Sequence, residues 1–403
     1  MNEFQTELAR RLADLREQGL HRELRRVDSP QSPRVMIGGK SLLNFSSNDY
    51  LGLANHPALT KAAMQAVEKF GAGSGASRLI CGSLAPHHEL EDALATFKGT
   101  EAALSFSTGC AAALGTITAL VGKDDIIVID KLVHASIVDA ARLSGAKLRV
   151  FAHNDLNDLE KILRWADART QNSKLETRNL KPRTLIITES VFSMDGDLAP
   201  LREIVTLKEK YGAWLMLDEA HATGLFGEKR RGLAEEFGVA DHIEIQMGTL
   251  GKAVGAAGGY ICGPRVLTDF LVNRARSFIF STAPVPASAA AARAGLELIQ
   301  SAEGESRRQA VWQRVDQLKN RLIEGGWKLP VVRSAILPLI IGDETKAVEI
   351  ATALRAADIF IPAIRYPTVA RGEARLRLTV TAAHTAADIA QLMSAFETLD
   401  LDL

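Results

Sequence analysis

The sequence predicts an α/β protein, with a mainly parallel, doubly wound sheet and a smaller α/β domain at the C-terminal end. Two observations lead there. Short apolar runs alternate with helix-like stretches through the middle of the chain, the order that makes parallel strands joined by crossover helices. With 403 residues the chain also exceeds a single core, so a second domain is expected.

In chain order, Phe4, Leu8, Leu12 and Leu15 recur at helical spacing. The first twenty residues therefore read as an amphipathic helix that docks on the body of the protein or on a partner subunit. Asp28-Ser29-Pro30-Gln31-Ser32-Pro33 breaks it, and residues 1–50 form an N-terminal helix and arm. Ala103–Phe106, Ile126–Ile129, Leu148–Phe151, Leu185–Ile187, Trp214–Leu217, Ile243–Met247 and Tyr260–Cys262 all suit buried strands. Lys61–Phe70, Pro86–Ala95 and Ala111–Leu120 have helical character, and 51–288 make one large domain. The alanine-rich stretch Ala289–Gln300 and the charged helix Gln309–Glu324 open a small domain, 289–403, with strands expected at Ile336–Ile340 and Leu376–Val380.

Composition narrows the function. The 48 basic and 48 acidic side chains balance, so nothing in the net charge points to nucleic acid or an anionic membrane. Cys81, Cys110 and Cys262 form no CxxC pair, which argues for a reducing compartment and against a disulfide or zinc framework. No apolar run approaches a membrane span and the first residues lack the order of a secretory signal, so a cytoplasmic location is expected.

Asp218 follows the apolar run Trp214–Leu217, at a strand's carboxyl end where open α/β sheets put ligands. Alone it would as readily cap a loop. His221 comes three residues later, however, and Thr249-Leu250-Gly251-Lys252 about thirty residues on. A lysine able to hold an aldehyde cofactor and a carboxylate able to keep a pyridine nitrogen protonated are what a pyridoxal phosphate enzyme needs. His221 can reach the same cavity as a donor to the cofactor phenolate. Gly251-Lys252 is not part of a nucleotide phosphate loop, because Ala253 and Gln246 occupy places that require Ser or Thr and Gly.

Gly71–Ala76 follows a helical run instead of a strand, so it is read as a loop whose backbone approaches a ligand, not as a dinucleotide fingerprint. Ser107-Thr108-Gly109-Cys110 lies where a strand passes into a helix, which is either a phosphate site or a plain cap. Cys110 there has a lowered pKa or simply packs. His134, just beyond the strand at Ile126–Ile129, either stacks on a flat cofactor ring or is structural. His87 and His88 lack a third ligand at metal spacing, and no metal is expected.

Together these motifs resemble the α-oxoamine synthases, fold-type I pyridoxal phosphate enzymes that condense an amino acid with an acyl thioester and release carbon dioxide. The resemblance covers nearly the whole chain and rests on Asn44–Leu53, Gly73–Arg78, His134–Ser136, Glu189–Asp197, Asp218–His221, Thr249–Lys252 and Arg375–Thr379. It implies that Lys252 holds the cofactor and transfers protons, that Asp218 pairs with the pyridine nitrogen and that His134 stacks on the ring. Ser193 and His221 would contact the phenolate region, and Glu189 would support that wall. Thr249 would hold the phosphate with the amides of Gly109 and Cys110, beside Thr108. Many relatives carry an aromatic residue where this chain has Cys110; contact through the amide survives that change.

Arg377 matches the arginine that binds the amino acid carboxylate, and Arg22, Asn48 and Thr368 fall at substrate positions. Arg25 and Arg26 are close enough to replace Arg22 after a small register shift. The resemblance is strongest to members that join L-alanine to a pimeloyl thioester carried by coenzyme A or by an acyl carrier protein. Ser77 agrees with alanine, since the glycine-using aminolevulinate synthases tend to carry the bulkier threonine there. A homodimer with active sites at the interface is also implied, with Thr282 reaching the partner's phosphate. The alternatives are another branch of the family, such as the 2-amino-3-ketobutyrate ligases, or an aminotransferase of the same fold.

Overall fold

The computed structural model describes residues 2–171 and 182–398. They fall into two compact units, one made of 51–193 and 197–308, the other of 1–50, 194–196 and 309–403. The larger unit holds a seven-stranded sheet. Its strands are β1 (Ala102–Phe106), β2 (Ile126–Asp130), β3 (Lys147–Phe151), β4 (Thr184–Glu189), β5 (Trp214–Asp218), β6 (Ile245–Thr249) and β7 (Gly259–Gly263). Across the sheet the order is β1-β7-β6-β5-β4-β2-β3, parallel throughout except that β7 runs antiparallel to both neighbours.

The strand sequences explain their places. Ile126-Ile127-Val128-Ile129 has no polar face to offer water, and every residue of β2 is buried, as is every residue of β7. Ile127, Ile187, Met216 and Ile261 pack with Ile117 and Ile137 of the helices Gly109–Leu120 and Ala135–Leu143. One strand corrects the sequence reading: β3 is only partly buried, with Phe151 in the core but Val150 49% exposed. Among the described residues its one sheet partner is β2, so it forms an edge of the sheet.

Two further corrections concern the ends. The division falls between Arg308 and Gln309, not at Ala289, because the helix Pro286–Gln300 packs against Pro57–Phe70 and Ala85–Lys98 of the larger unit. The N-terminal helix, Glu3–Glu17, begins with an Asn2–Gln5 capping box, yet none of its residues is buried and Phe4 is 71% exposed. Its apolar stripe is therefore not buried against the other described residues, which leaves the partner-subunit alternative of the sequence reading. A hairpin, Arg34–Ile37 with Lys40–Asn44, joins this unit through Gly38 and Gly39, both at positive φ. A Gly-Gly turn supplies that geometry without strain, and Ile359–Phe360 adds a third, parallel strand. A second sheet in the unit pairs Ile336–Gly342 and Ala363–Ile364 with the central Ala374–Thr379. Pro338 is tolerated there because its strand is an edge.

Candidate active site

Because β4, β5 and β6 are parallel, their carboxyl ends lie side by side, with Glu189 in register with Asp218 and Asp218 with Met247. Asp218 is buried and accepts the Ala220 N–H through Oδ1 at 2.9 Å. Burial lifts its pKa above the usual carboxylate range, while the charge of Lys252 pulls it back. Glu189 is pushed up to about 8, first by burial and then by the charge of Asp218. Its carboxyl accepts the backbone N–H groups of His134 and Ser193, and its Oε1 is buried without a hydrogen bond. Two neighbouring carboxyl groups in so dry a place favour a cation between them, which lets at least one ionise.

The cationic side is supplied by β6 and the loop after it. Lys252 Nζ lies 2.7 Å from Nε2 of the buried His221. His134 caps the helix Ala135–Leu143, where Nδ1 accepts the Ser136 N–H at 3.2 Å and meets Ser136 Oγ at 2.8 Å. Although His134 remains solvent-accessible, desolvation of its ring lowers its pKa, and Asp218 works in the opposite direction. A neutral imidazole keeps Nε2 and both ring faces available.

At the phosphate end, Thr108 Oγ1 accepts the Ala111 N–H at 3.0 Å, so the residue caps the helix Gly109–Leu120. Cap and phosphate site coexist, since Gly109 and Cys110 still begin a helix with amides that have no acceptor inside it. A Cβ added at Gly109 would come within 3.7 Å of Thr249 Cβ, which brings β6 and this helix start together. Thr249 Oγ1 donates to Gly258 O at 2.9 Å. Gly259 tightens the approach, as a Cβ there would stand 2.6 Å from Gly109 Cα. Cys110, in the first turn of this helix, is exposed.

Amine, carboxyl, imidazole and helix-start amides next to Thr249 make a donor set that fits pyridoxal phosphate. Lys252 and His221 could hold its aldehyde end, Asp218 its ring nitrogen, and Gly109, Cys110 and Thr249 its phosphate.

Within the smaller unit, Arg377 Nη1 donates to Asn48 Oδ1 at 3.1 Å, and the buried Tyr50 hydroxyl donates to the same oxygen at 3.2 Å. Arg22 donates to Tyr366 O at 3.1 Å, and the Thr368 N–H to Arg365 O at 3.0 Å, so Arg22 contacts the 365–368 loop that carries Thr368. Arg26 is bound to Asp28 at 2.5 Å, whereas Arg22 and Arg25 line one cleft. Of the three arginines left open by the sequence, Arg26 is the one paired with a carboxylate among the described residues.

Two supports were not read from the sequence. Lys98, 1% exposed in its side chain, donates to Glu219 Oε2 and to Arg231 O, both at 2.5 Å, and Glu219 Oε1 accepts the Ala234 N–H. His153 bridges Asp130 at 2.9 Å and Asp197 at 2.8 Å. Glu219 stands within the motif Asp218–His221, but its partner Lys98 lies 121 residues away and leaves no local pattern. His87, by contrast, is structural: Nδ1 accepts the Leu84 N–H and Nε2 donates to Pro284 O at 2.7 Å.

Comparison with known proteins matches residues 40–396 to the family described as Aminotransferase class I and II. The chain is 46% identical over 396 residues to an 8-amino-7-oxononanoate synthase of Geobacter sulfurreducens, covering 98% of each chain. It is 44% identical over 387 residues to the protein of the same name from Thermoanaerobacter pseudethanolicus, covering 96% of this chain and 95% of the other. Among solved structures, serine palmitoyltransferase from S. paucimobilis with bound pyridoxal phosphate and myriocin superposes with a TM-score of 0.89 at 30% identity, covering 99% and 98% of the two chains.

Proposed function

The chain belongs to the class I and II aminotransferase family, and from that premise we propose that it is a pyridoxal phosphate-dependent acyltransferase of the α-oxoamine synthase branch. It condenses L-alanine with a pimeloyl thioester and yields 8-amino-7-oxononanoate, carbon dioxide and free thiol, a step of biotin biosynthesis. The observation that carries this reading is the gathering of Asp218, Glu189 and Lys252 at one sheet edge, with Lys252 Nζ 2.7 Å from His221. The curated relatives' names support the choice of branch and product.

Bound pyridoxal phosphate supplies the electron sink that both carbon–hydrogen cleavage and decarboxylation require. Lys252 anchors it and carries the proton from and back to the alanine Cα. His221 holds the amine in place, and Asp218 holds the proton on the ring nitrogen. A cation there reverses the penalty that burial puts on the Asp218 carboxylate. His134 takes a ring face, Ser193 and Glu189 the phenolate side, and Thr108, Gly109, Cys110 and Thr249 the phosphate. Arg377 binds the alanine carboxylate, with Asn48, Arg22 and Thr368 serving the substrates. The enzyme works as a cytoplasmic homodimer, with Thr282 reaching across to the partner's phosphate. Among the described residues no helix is long and apolar enough to cross a membrane.

Competition of alanine, glycine and serine against pimeloyl, acetyl, succinyl and palmitoyl thioesters tests the reading. Ser77 leaves room for a methyl group, so alanine is preferred by roughly ten- to two-hundred-fold in kcat/KM. Preferred use of glycine with acetyl-coenzyme A would instead assign the chain to the ketobutyrate ligases.

A further inference from the structure

Glu189 ends β4 in register with Asp218 at the end of β5, so the two carboxyl groups leave the same face of the sheet. Glu189 is 2% exposed. Its carboxyl accepts the N–H groups of His134 and Ser193, and because Oε1 has no hydrogen bond, both amides fall on Oε2. One oxygen is saturated and the other is bare.

A bare, buried carboxylate oxygen is costly, since an anion taken out of water needs donors to replace it. Protonation changes the need, because Oε1 then becomes a hydroxyl that wants an acceptor. The surrounding charges sort the two carboxyls. Burial first and the charge of Asp218 second raise the pKa of Glu189 to about 8, against the charge of Lys252 and the two amides. His221 meets Lys252 Nζ at 2.7 Å, and desolvation lowers the pKa of the His134 ring, so neither adds a second cation beside Glu189. Asp218 has a ring nitrogen to ionise against, whereas Glu189 faces the phenolate side. The proton that such a pair retains therefore rests on Glu189.

We propose that Glu189 is a neutral carboxylic acid in the holoenzyme, with its hydrogen on Oε1, and that Oε1 donates to the phenolate oxygen of bound pyridoxal phosphate. The inference rests on the cofactor reading above and adds to it the protonation state and donor role of this residue. A carboxylate in this place would repel the phenolate, while an acid gives it a charge-assisted hydrogen bond. The hydrogen stays on Oε1 throughout.

The test compares the full-length holoenzyme with its Glu189→Gln and Glu189→Leu variants. Gln copies the neutral acid, with an oxygen for the two amides and a donor in the place of Oε1, whereas Leu has neither. The infrared difference between the unmodified protein and Glu189→Gln at neutral pH should contain the carbonyl stretch of an un-ionised carboxylic acid. The pH midpoint of the cofactor's visible band is the second readout. Loss of a donor leaves more negative charge on the phenolate to hold the proton on Lys252 Nζ, so Glu189→Leu should raise the midpoint by roughly one to two pH units. Glu189→Gln should leave it in place. Absence of the carbonyl stretch, or a midpoint that falls in Glu189→Gln as a negative charge is removed, would show a carboxylate and overturn the proposal. So would a midpoint unmoved in both variants, which would leave Glu189 as an anchor for the His134 and Ser193 amides alone. Should Glu189→Leu fail to fold, the infrared band and the Gln midpoint decide. The acid carbonyl with an unmoved Gln midpoint, in a protein that turns over no pimeloyl thioester, would support the role of Glu189 while removing the acyl-transfer reading.

Discussion

Lys252 touches His221 and answers to Asp218, and each of these residues fails in its own way when replaced. Lys252→Ala removes anchor and proton carrier together, so turnover should fall by at least a hundred- to ten-thousand-fold, roughly what positioned acid–base groups supply. Borohydride reduction of the unmodified holoenzyme followed by peptide mapping checks the anchor, and label on another lysine would exclude it. Asp218→Asn keeps shape and burial but cannot hold a proton on a ring nitrogen as a carboxylate does. Its rate should drop by about ten- to a hundredfold, the value of a charged hydrogen bond, with the fold intact by circular dichroism. A near-normal rate would refute the electron-sink role. Arg377→Ala should raise the KM for alanine by a similar factor and leave cofactor binding unchanged, since Arg377 is assigned to the substrate carboxylate. At this scale the sequence was legible where chemistry is encoded by residue type next to a strand end, as with Asp218, His221 and Lys252. It was silent on the orphaned Glu189 Oε1 and on the exposure of Cys110, because both depend on which neighbours the fold supplies.

The strand ends and their supporting loops set how firmly those residues are held. His153 joins the end of β2, at Asp130, to Asp197 just beyond the loop that carries Ser193. Burial opposes the charge on its imidazole, but hydrogen bonds and charges from Asp130 and Asp197 outweigh it and raise the pKa to about 10. An unfolded histidine titrates near 6.5. The imidazolium is therefore favoured by folding, its contribution is complete below about pH 6.5, and it is lost as pH rises through about 10. Thermal melts should show this alkaline loss in the unmodified protein and a weaker one in His153→Gln, which is also less stable by about 1.5–3 kcal/mol at neutral pH. Equal pH profiles for the two proteins would remove His153 from this role. Period and length made most strands readable, from Ile126–Ile129 to Tyr260–Cys262. Gly38-Gly39 is a turn signal in its own right, and it sits between the two strands of the hairpin. Edge status, as for β3, follows from sheet order, and a run of residues such as Leu148–Phe151 contains no information about how many neighbours it will have.

On the scale of the whole molecule, the alternation of strands and helices predicted the doubly wound sheet, and the match over residues 40–396 agrees with it. The boundary between units was harder to read, because Ala289–Gln300 has the composition of a linker helix but buries Ala289, Ala292 and Leu296 in the larger unit. The exposed stripe of Phe4, Leu8, Leu12 and Leu15 is consistent with the homodimer proposed above. Sedimentation of the unmodified protein should give a dimer, and a monomer that retains full activity would dismiss the shared-site arrangement. The central claim is the reaction, and it is tested most directly by supplying alanine labelled at the carboxyl carbon together with pimeloyl-coenzyme A. The label should leave as carbon dioxide, one for each thiol freed, and the remaining product should have the mass of 8-amino-7-oxononanoate. Labelled pyruvate with an aminated cofactor, and neither carbon dioxide nor free thiol, would show an aminotransferase instead.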